Sequence, residues 1–203
     1  MTAILNLNTK ELNFLKDYIL TKLLKKTSNV FETLLNESVN YRIRKIDNLN
    51  FSEFENLITP SDEKTQLYAV YVKCDGDIHL ELLYTFHRID AEKIASKLLG
   101  KKITKFSQLE KSTLTEIGNI LSGSLFNVIS NSKDFEINSS VPGFADENLM
   151  ALLDTLMINF ADVGDSVISV DVEFTTESGI LLNILILLDH IEARKLIENK
   201  SDL

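Results

Sequence analysis

The sequence predicts an α+β fold in which a mostly antiparallel sheet carries two long helices on one face. Three observations lead to this prediction. The second half of the chain repeats the first, each half changes from helical to alternating apolar spacing in the same order, and each half contains a pair of alternating runs joined by a short turn.

The internal repeat is clearest in the apolar segments. Residues 78–82 and 89–94 align without a gap on residues 180–184 and 191–196, at a constant offset of 102 residues. Self-similarity at a fixed offset is typical of a duplicated structural unit. The sequence therefore predicts a single domain, spanning residues 1–203, built of two pseudo-symmetric halves at about 1–101 and about 102–203.

Each half begins with a long helix. Apolar residues recur at helical spacing over 9–37 and 108–131, and Thr9 and Ser107 stand where a helix N-cap is expected. Because both segments are amphipathic, each is expected to lay its apolar face on the sheet.

A short strand is predicted after each long helix, at 41–46 and at 135–137. In the first half two alternating runs follow, 68–74 and 80–86, joined around Asp75-Gly76, a dipeptide that favours a tight reversal. The repeat predicts the same hairpin in the second half.

A short helix closes each half, near 90–99 and near 190–199. The order of elements is therefore the same in both halves.

The composition argues against several classes of function. The net charge of -9 would repel a phosphate backbone, so nucleic acid is not expected as a partner. One cysteine, Cys74, and three scattered histidines indicate neither a disulfide nor a metal site, which is compatible with the cytoplasm. No signal peptide pattern is present, and the most apolar stretch, 180–188, is much shorter than the roughly 20 residues of a membrane span.

Helix 108–131 separates its side chains into two faces. A core face groups five residues within about 80° of one another on a helical wheel: Leu114, Ile117, Leu121, Leu125 and Val128. The opposite face carries a stripe within about 60°: Ser112, Glu116, Asn119 and Gly123.

The stripe admits a plain interpretation, because any amphipathic helix has a polar face. Asn119, Gly118 and Gly123, however, are poor residues for a helix interior, with glycine costing about 1 kcal/mol relative to alanine. A requirement other than helix stability is therefore indicated. A glycine would let the backbone of a partner approach the stripe closely.

The spacing Ser112-x3-Glu116-x2-Asn119-x22-Pro142 resembles the signature of the CheC/CheX/FliY family of chemotaxis response-regulator phosphatases. The resemblance implies that the chain hydrolyses the aspartyl phosphate of a CheY-like response regulator, with water as the acceptor. It implies that Asn119 positions the attacking water and that Glu116 pairs with a lysine of the partner. Pro142 is assigned no chemistry.

The resemblance also implies the cofactor and the partners. The chain would need no cofactor of its own, because the regulator supplies Mg²⁺. The partner is a phosphorylated response regulator, and the deamidase CheD, which some relatives bind, is a further candidate.

The first half lacks the motif that many CheC proteins carry twice. At the 102-residue offset Glu116 falls on Phe14 and Asn119 on Asp17. Glu37-x-x-Asn40 has the spacing but stands where the helix should end. One active site is therefore expected, and the first half is either a structural partner or a docking surface.

Two apolar residues are predicted to flank the stripe. On the wheel Phe126 lies about 40° to one side and Ile120 about 60–80° to the other. Together with Ser112 and Gly123 they are candidates for partner binding. Phe126 alternatively packs under a neighbouring helix.

An alternative function belongs to a different class. The chain could be a non-catalytic, CheC-related binding module of a chemotaxis or flagellar switch complex. The intact pair Glu116 and Asn119 favours the enzyme.

Overall fold

A seven-stranded sheet forms the centre of the computed structural model, which describes residues 6–50, 53, 67–103, 105–146, 156, 158–160 and 166–198. The strands are β1 (Val39–Asn50), β2 (Leu67–Gly76), β3 (Leu80–His87), β4 (Ile137–Ser139), β5 (Gly143–Ala145), β6 (Ser166–Thr176) and β7 (Leu181–Leu188). Their order is β1-β6-β7-β3-β2-β4, and β5 also pairs with β2. Every described pairing is antiparallel, which confirms the predicted sheet.

The helices are α1 (Thr9–Tyr18), a π-helical segment (Ile19–Leu24), α2 (Lys25–Leu35), α3 (Arg88–Leu99), α4 (Gln108–Lys133) and α5 (His190–Ile197). The first three run on without a break, because the residues that join them keep right-handed helical geometry. They form the predicted long helix of the first half. Within the described residues, no helix is long and apolar enough to cross a membrane.

The pairing of β3 with β7 is symmetric about one residue pair. Leu83 lies opposite Leu185, its own equivalent at the 102-residue offset, and Leu82 and Tyr84 lie opposite Ile186 and Ile184. The edge strands are exchanged: β1 of the first half pairs with β6, while β4 and β5 pair with β2. This pairing supports the predicted pseudo-symmetric halves, which stay a prediction for the chain as a whole.

The two faces of the sheet carry different hydrophobic clusters. The larger cluster joins the long helices to one face, where Leu82 and Tyr84 are buried. Leu83 and Leu185 point to the other face, into a smaller cluster that includes Phe160. Because residues alternate between the faces of a strand, the long helices share a single face, as predicted.

The ends of the long helices show that the offset between the two halves differs from 102 residues in this part of the repeat. Asn8 rather than Thr9 is the N-cap of α1: its side chain accepts from the backbone of Glu11 at 3.0 Å, and the Glu11 carboxylate accepts from the Asn8 backbone at 2.8 Å. Ser107 caps α4 in the same way, 99 residues later. The C-caps, Asn36 and Asp134, both have positive φ and stand 98 residues apart.

The helix of the first half therefore contains one residue more than α4, which has 26. A π-helical turn accommodates an inserted residue, and the π segment Ile19–Leu24 lies between the two caps. The 102-residue offset of the hairpins does not extend to the long helices.

The edge strand of the second half is interrupted at Pro142. Ser140 still donates its backbone N–H to Lys73 O at 2.8 Å, and pairing with β2 resumes where Gly143 meets Tyr71. Proline has no N–H to donate, so it is tolerated at an edge strand or a break. In the first half β1 is one strand of 12 residues, longer than the predicted 41–46, because β6 pairs with it from Val39 to Asn50, with a register shift between Ile43 and Lys45.

Candidate active site

Helix α4 is held against the sheet by tight contacts. Leu114, Ile117, Leu121 and Leu125 are buried, which confirms the predicted core face, while Val128 is half-buried. The Tyr84 hydroxyl and the Ser122 hydroxyl form a fully buried hydrogen bond of 2.8 Å between β3 and α4. The orientation of the helix about its axis is therefore fixed from the sheet side.

Gly118 explains how closely α4 approaches β2. A Cβ atom built on Gly118 would lie 2.5 Å from Cγ1 of Val70, closer than real Cβ atoms come. This glycine is required for packing inside the chain.

The polar stripe lies on the outer face of α4. Ser112, Glu116 and Asn119 are exposed, and Gly123 is half-buried, with no atom beyond its own helix backbone and chain neighbours within 4 Å of an added Cβ. Unlike Gly118, Gly123 therefore has no packing neighbour in the described residues that requires a glycine.

Glu116 and Asn119 lie one helical turn apart. The Asn119 Nδ2 and Glu116 Oε2 atoms are 3.5 Å apart, which is at the long limit of a hydrogen bond. Within the part of the chain that the structure describes, the Glu116 carboxylate has no ion-pair partner. Both side chains can therefore turn toward another molecule at little cost.

Two shallow grooves flank the stripe. The groove between α2 and α4 is lined by Lys26, Val30, Ile120, Gly123, Ser124 and Asn127, among others. The groove where α2, α3 and α4 meet is lined by Leu34, Leu98, Leu99, Ser112, Glu116 and Ile120, among others. Half-buried Ile120 belongs to both grooves, in agreement with its predicted place beside the stripe.

Phe126 does not form the predicted rim. It is only 4% exposed and belongs to the main core, so its assignment to partner binding is wrong. The cause lies outside α4: this helix contacts α2, α3 and the π segment as well as β2, so more of its circumference is covered than its own periodicity indicates. Leu34, Leu98 and Leu99 provide the apolar side chains near the stripe instead, and the periodicity of α4 carried no signal for them.

The first-half helix has no equivalent pair. Aligning the N-caps places Glu116 on Asp17 and Asn119 on Leu20, rather than on Phe14 and Asp17. Asp17 is exposed and Leu20 is half-buried against the core. An acidic residue is present, but the amide is absent in this register as well.

The Glu37 carboxylate is held by contacts within the chain. Its carboxylate lies 3.1 Å from Lys97 Nζ and accepts from the Ser178 hydroxyl at 3.0 Å. Asn40 belongs to β1, so the two residues do not share a helix face. Glu37-x-x-Asn40 is therefore not a second copy of the Glu116 and Asn119 arrangement.

Comparison with known proteins finds a family match over the segment that carries the stripe. Residues 109–145, which contain the motif from Ser112 to Pro142, match the CheC-like family. The CheY-P phosphatase CheC of Bacillus subtilis (strain 168) is 21% identical over 157 residues, which cover 75% of this chain and 74% of that protein.

Two solved structures share the fold. FliY of Thermotoga maritima aligns with a TM-score of 0.72 and 14% identity, over 94% of this chain and 95% of that one. A chain of the CheX–CheY–BeF₃–Mg²⁺ complex from Borrelia burgdorferi aligns with a TM-score of 0.60 and 20% identity, over 86% of this chain and 99% of that one. The family match across the motif, the CheC relative and the shared fold together support the similarity of this chain to the CheC/CheX/FliY family.

Proposed function

We propose that this chain hydrolyses the aspartyl phosphate of a phosphorylated, CheY-like response regulator. The observation that carries the proposal is the exposed pair Glu116 and Asn119 on one face of α4. The relative named a CheY-P phosphatase and the structural neighbour from a complex with CheY support both the reaction and the partner.

The exposure of the pair fits a substrate that is itself a folded protein. A carboxylate and an amide on an open helix face provide no enclosed pocket, so the site becomes enclosed only when a second surface covers α4. The regulator would bring the phosphoryl group together with its own Mg²⁺.

Within that contact the two side chains have separate roles. The Asn119 amide can both donate and accept hydrogen bonds, which suits it to hold a water molecule in line with the phosphorus atom. The Glu116 carboxylate would pair with a lysine of the regulator and fix the docked position. Phosphoryl transfer depends mainly on positioning and charge stabilisation, so a protein nucleophile is not required.

The reaction would take place in the cytoplasm, where response regulators act. The decisive experiment incubates candidate phosphorylated regulators with catalytic amounts of the protein and follows the loss of acyl phosphate. Faster loss with at least one regulator is expected. If no cognate regulator is dephosphorylated faster, the non-catalytic binding module becomes the better description.

A further inference from the structure

Helix α2 brings one cation to the groove beside the stripe. Lys26 and Val30 line the groove with Gly123 and Asn127, whereas Leu34 lines the other groove with Glu116. Helices α2 and α4 are therefore antiparallel here, and Lys26 lies on the side of Asn119 away from Glu116.

The charge of this groove is opposite to that of the chain. Among the described residues, its lining contains the Lys26 ammonium and the amides of Asn127 and Asn131, but no carboxylate. Lys22, Lys25 and Lys26 are all exposed, and none forms an ion pair within the described ranges. In a chain of net charge -9, three neighbouring lysines without an ion pair are a local exception, and Lys26 is the one that lines the groove beside the candidate site.

The stripe therefore has a polarity along α4. Glu116 lies one turn to the N-terminal side of Asn119, and Gly123, which borders the groove of Lys26, lies one turn to the C-terminal side. A negative end and a positive end then flank the amide. Complementary charges set the orientation and encounter rate of a partner more than they set its final affinity.

We infer that Lys26 is a partner-binding residue that receives an acidic side chain of the regulator surface next to the phosphorylated aspartate. This inference rests on the proposed function and deepens it. Lys26 belongs to the first half of the chain, so the half without the motif contributes to docking. Gly123 lies between Lys26 and Asn119, so the Lys26 ammonium would not reach a phosphoryl group held at Asn119. Lys26 would instead orient the docked regulator.

The test compares Lys26→Glu with Lys25→Glu. Both variants change the net charge equally on adjacent residues of one helix, but only Lys26 lines the groove. The affinity of each is measured for a regulator that is held in its phosphorylated form by beryllofluoride, at low and at high salt. The rate at saturating phosphorylated regulator is measured separately.

We expect Lys26→Glu to weaken binding about tenfold at low salt and Lys25→Glu less than about threefold, with both effects shrinking as salt rises. Lys26→Arg should bind like the wild type, and the rate at saturation should change less than about twofold, because Lys26 does not touch the reacting atoms. Unchanged melting temperatures would show that both variants fold.

Equal losses for Lys26→Glu and Lys25→Glu, or no loss for Lys26→Glu, would overturn the inference. A wild-type protein that hydrolyses the acyl phosphate while Lys26→Glu binds normally leaves the proposed function in place and removes only Lys26. If the wild type binds a regulator but does not hydrolyse its acyl phosphate, the proposed phosphatase activity is rejected. The affinities of Lys26→Glu and Lys25→Glu still decide whether Lys26 binds the regulator. If no regulator binds the wild type, both proposals fall.

Discussion

Asn119 and Glu116 are adjacent across one turn of α4, with the amide nitrogen 3.5 Å from a carboxylate oxygen and both side chains exposed. A contact of this length between exposed groups contributes little to folding. The residues can consequently be changed with small effects on stability, so function and stability can be tested separately.

Asn119→Ala is expected to abolish regulator dephosphorylation while leaving the fold at least as stable. The amide that would position water is lost, and alanine is the better helix former. The measurements are the rate of acyl phosphate loss and the urea unfolding midpoint. Asn29→Ala, an exposed asparagine of α2 that lines neither groove, is the matched control and should keep full activity. Activity of Asn119→Ala within a few-fold of wild type would remove the proposed mechanism.

Glu116→Gln should mainly raise the regulator concentration that gives the half-maximal rate. The side chain keeps its size but loses the charge that would pair with a lysine of the partner. Glu177→Gln, an exposed change of the same charge in the turn between β6 and β7, should leave that concentration unchanged. A slower rate at saturation with unchanged affinity would contradict a docking role for Glu116.

The two faces of α4 could be predicted because they follow from the periodicity of one helix. Leu121 on one side and Glu116 on the other lie where the wheel places them. Phe126 could not be placed in this way, because its burial depends on helices that pack against α4 from elsewhere in the chain. The periodicity of α2 likewise could not place Lys26 beside the stripe, since its closeness to Gly123 is a tertiary contact.

The repeat predicted the hairpins but not how the halves combine. The Leu83–Leu185 pair follows the 102-residue offset, whereas the caps Asn8 and Ser107 are 99 residues apart. Apolar patterns fix the elements of each half, but the lengths of the connections are free to differ. The exchange of the edge strands, with β1 on β6 and with β4 and β5 on β2, likewise cannot be seen in the periodicity of these three strands.

Phe126→Ala should lower the free energy of unfolding by about 3–5 kcal/mol, as expected for truncation of a buried aromatic side chain. The loss is measured from the urea midpoint at constant m-value. A change below about 1 kcal/mol, together with weaker regulator binding, would instead support the predicted exposed position of Phe126 beside the stripe.

Glu110 should give stability a measurable dependence on acid. Hydrogen bonds from the Ser107 hydroxyl and the Ser107 backbone N–H, with Lys101 Nζ at 3.3 Å, lower the pKa of Glu110 from 4.5 to about 2. Because the folded pKa lies below the unfolded one, the stabilisation is complete above about pH 4.5 and is lost as the pH falls toward 2. Glu110→Gln should therefore be less stable than wild type at pH 7, and the difference should shrink between pH 4.5 and 3 in urea unfolding. Parallel curves over that range would contradict the assignment.

Gly123 and Gly118 lie in one helix but should respond oppositely to alanine. At Gly118 the new Cβ would meet Val70 at 2.5 Å, and overpacking of about 1–3 kcal/mol should outweigh the gain in helix propensity. At Gly123 the space is open, so alanine should stabilise the helix by up to about 1 kcal/mol.

The effects of the two variants on regulator binding should be opposite to their effects on stability. Gly123→Ala places a methyl group where the regulator would approach, so the regulator concentration for the half-maximal rate should rise several-fold although the protein is more stable. Gly118→Ala, assayed below its melting temperature, should keep the affinity of the wild type because its side faces β2. A stabilised Gly123→Ala protein with unchanged affinity would show that Gly123 is not kept for close approach of a partner, and the docking face would then have to lie elsewhere on α4.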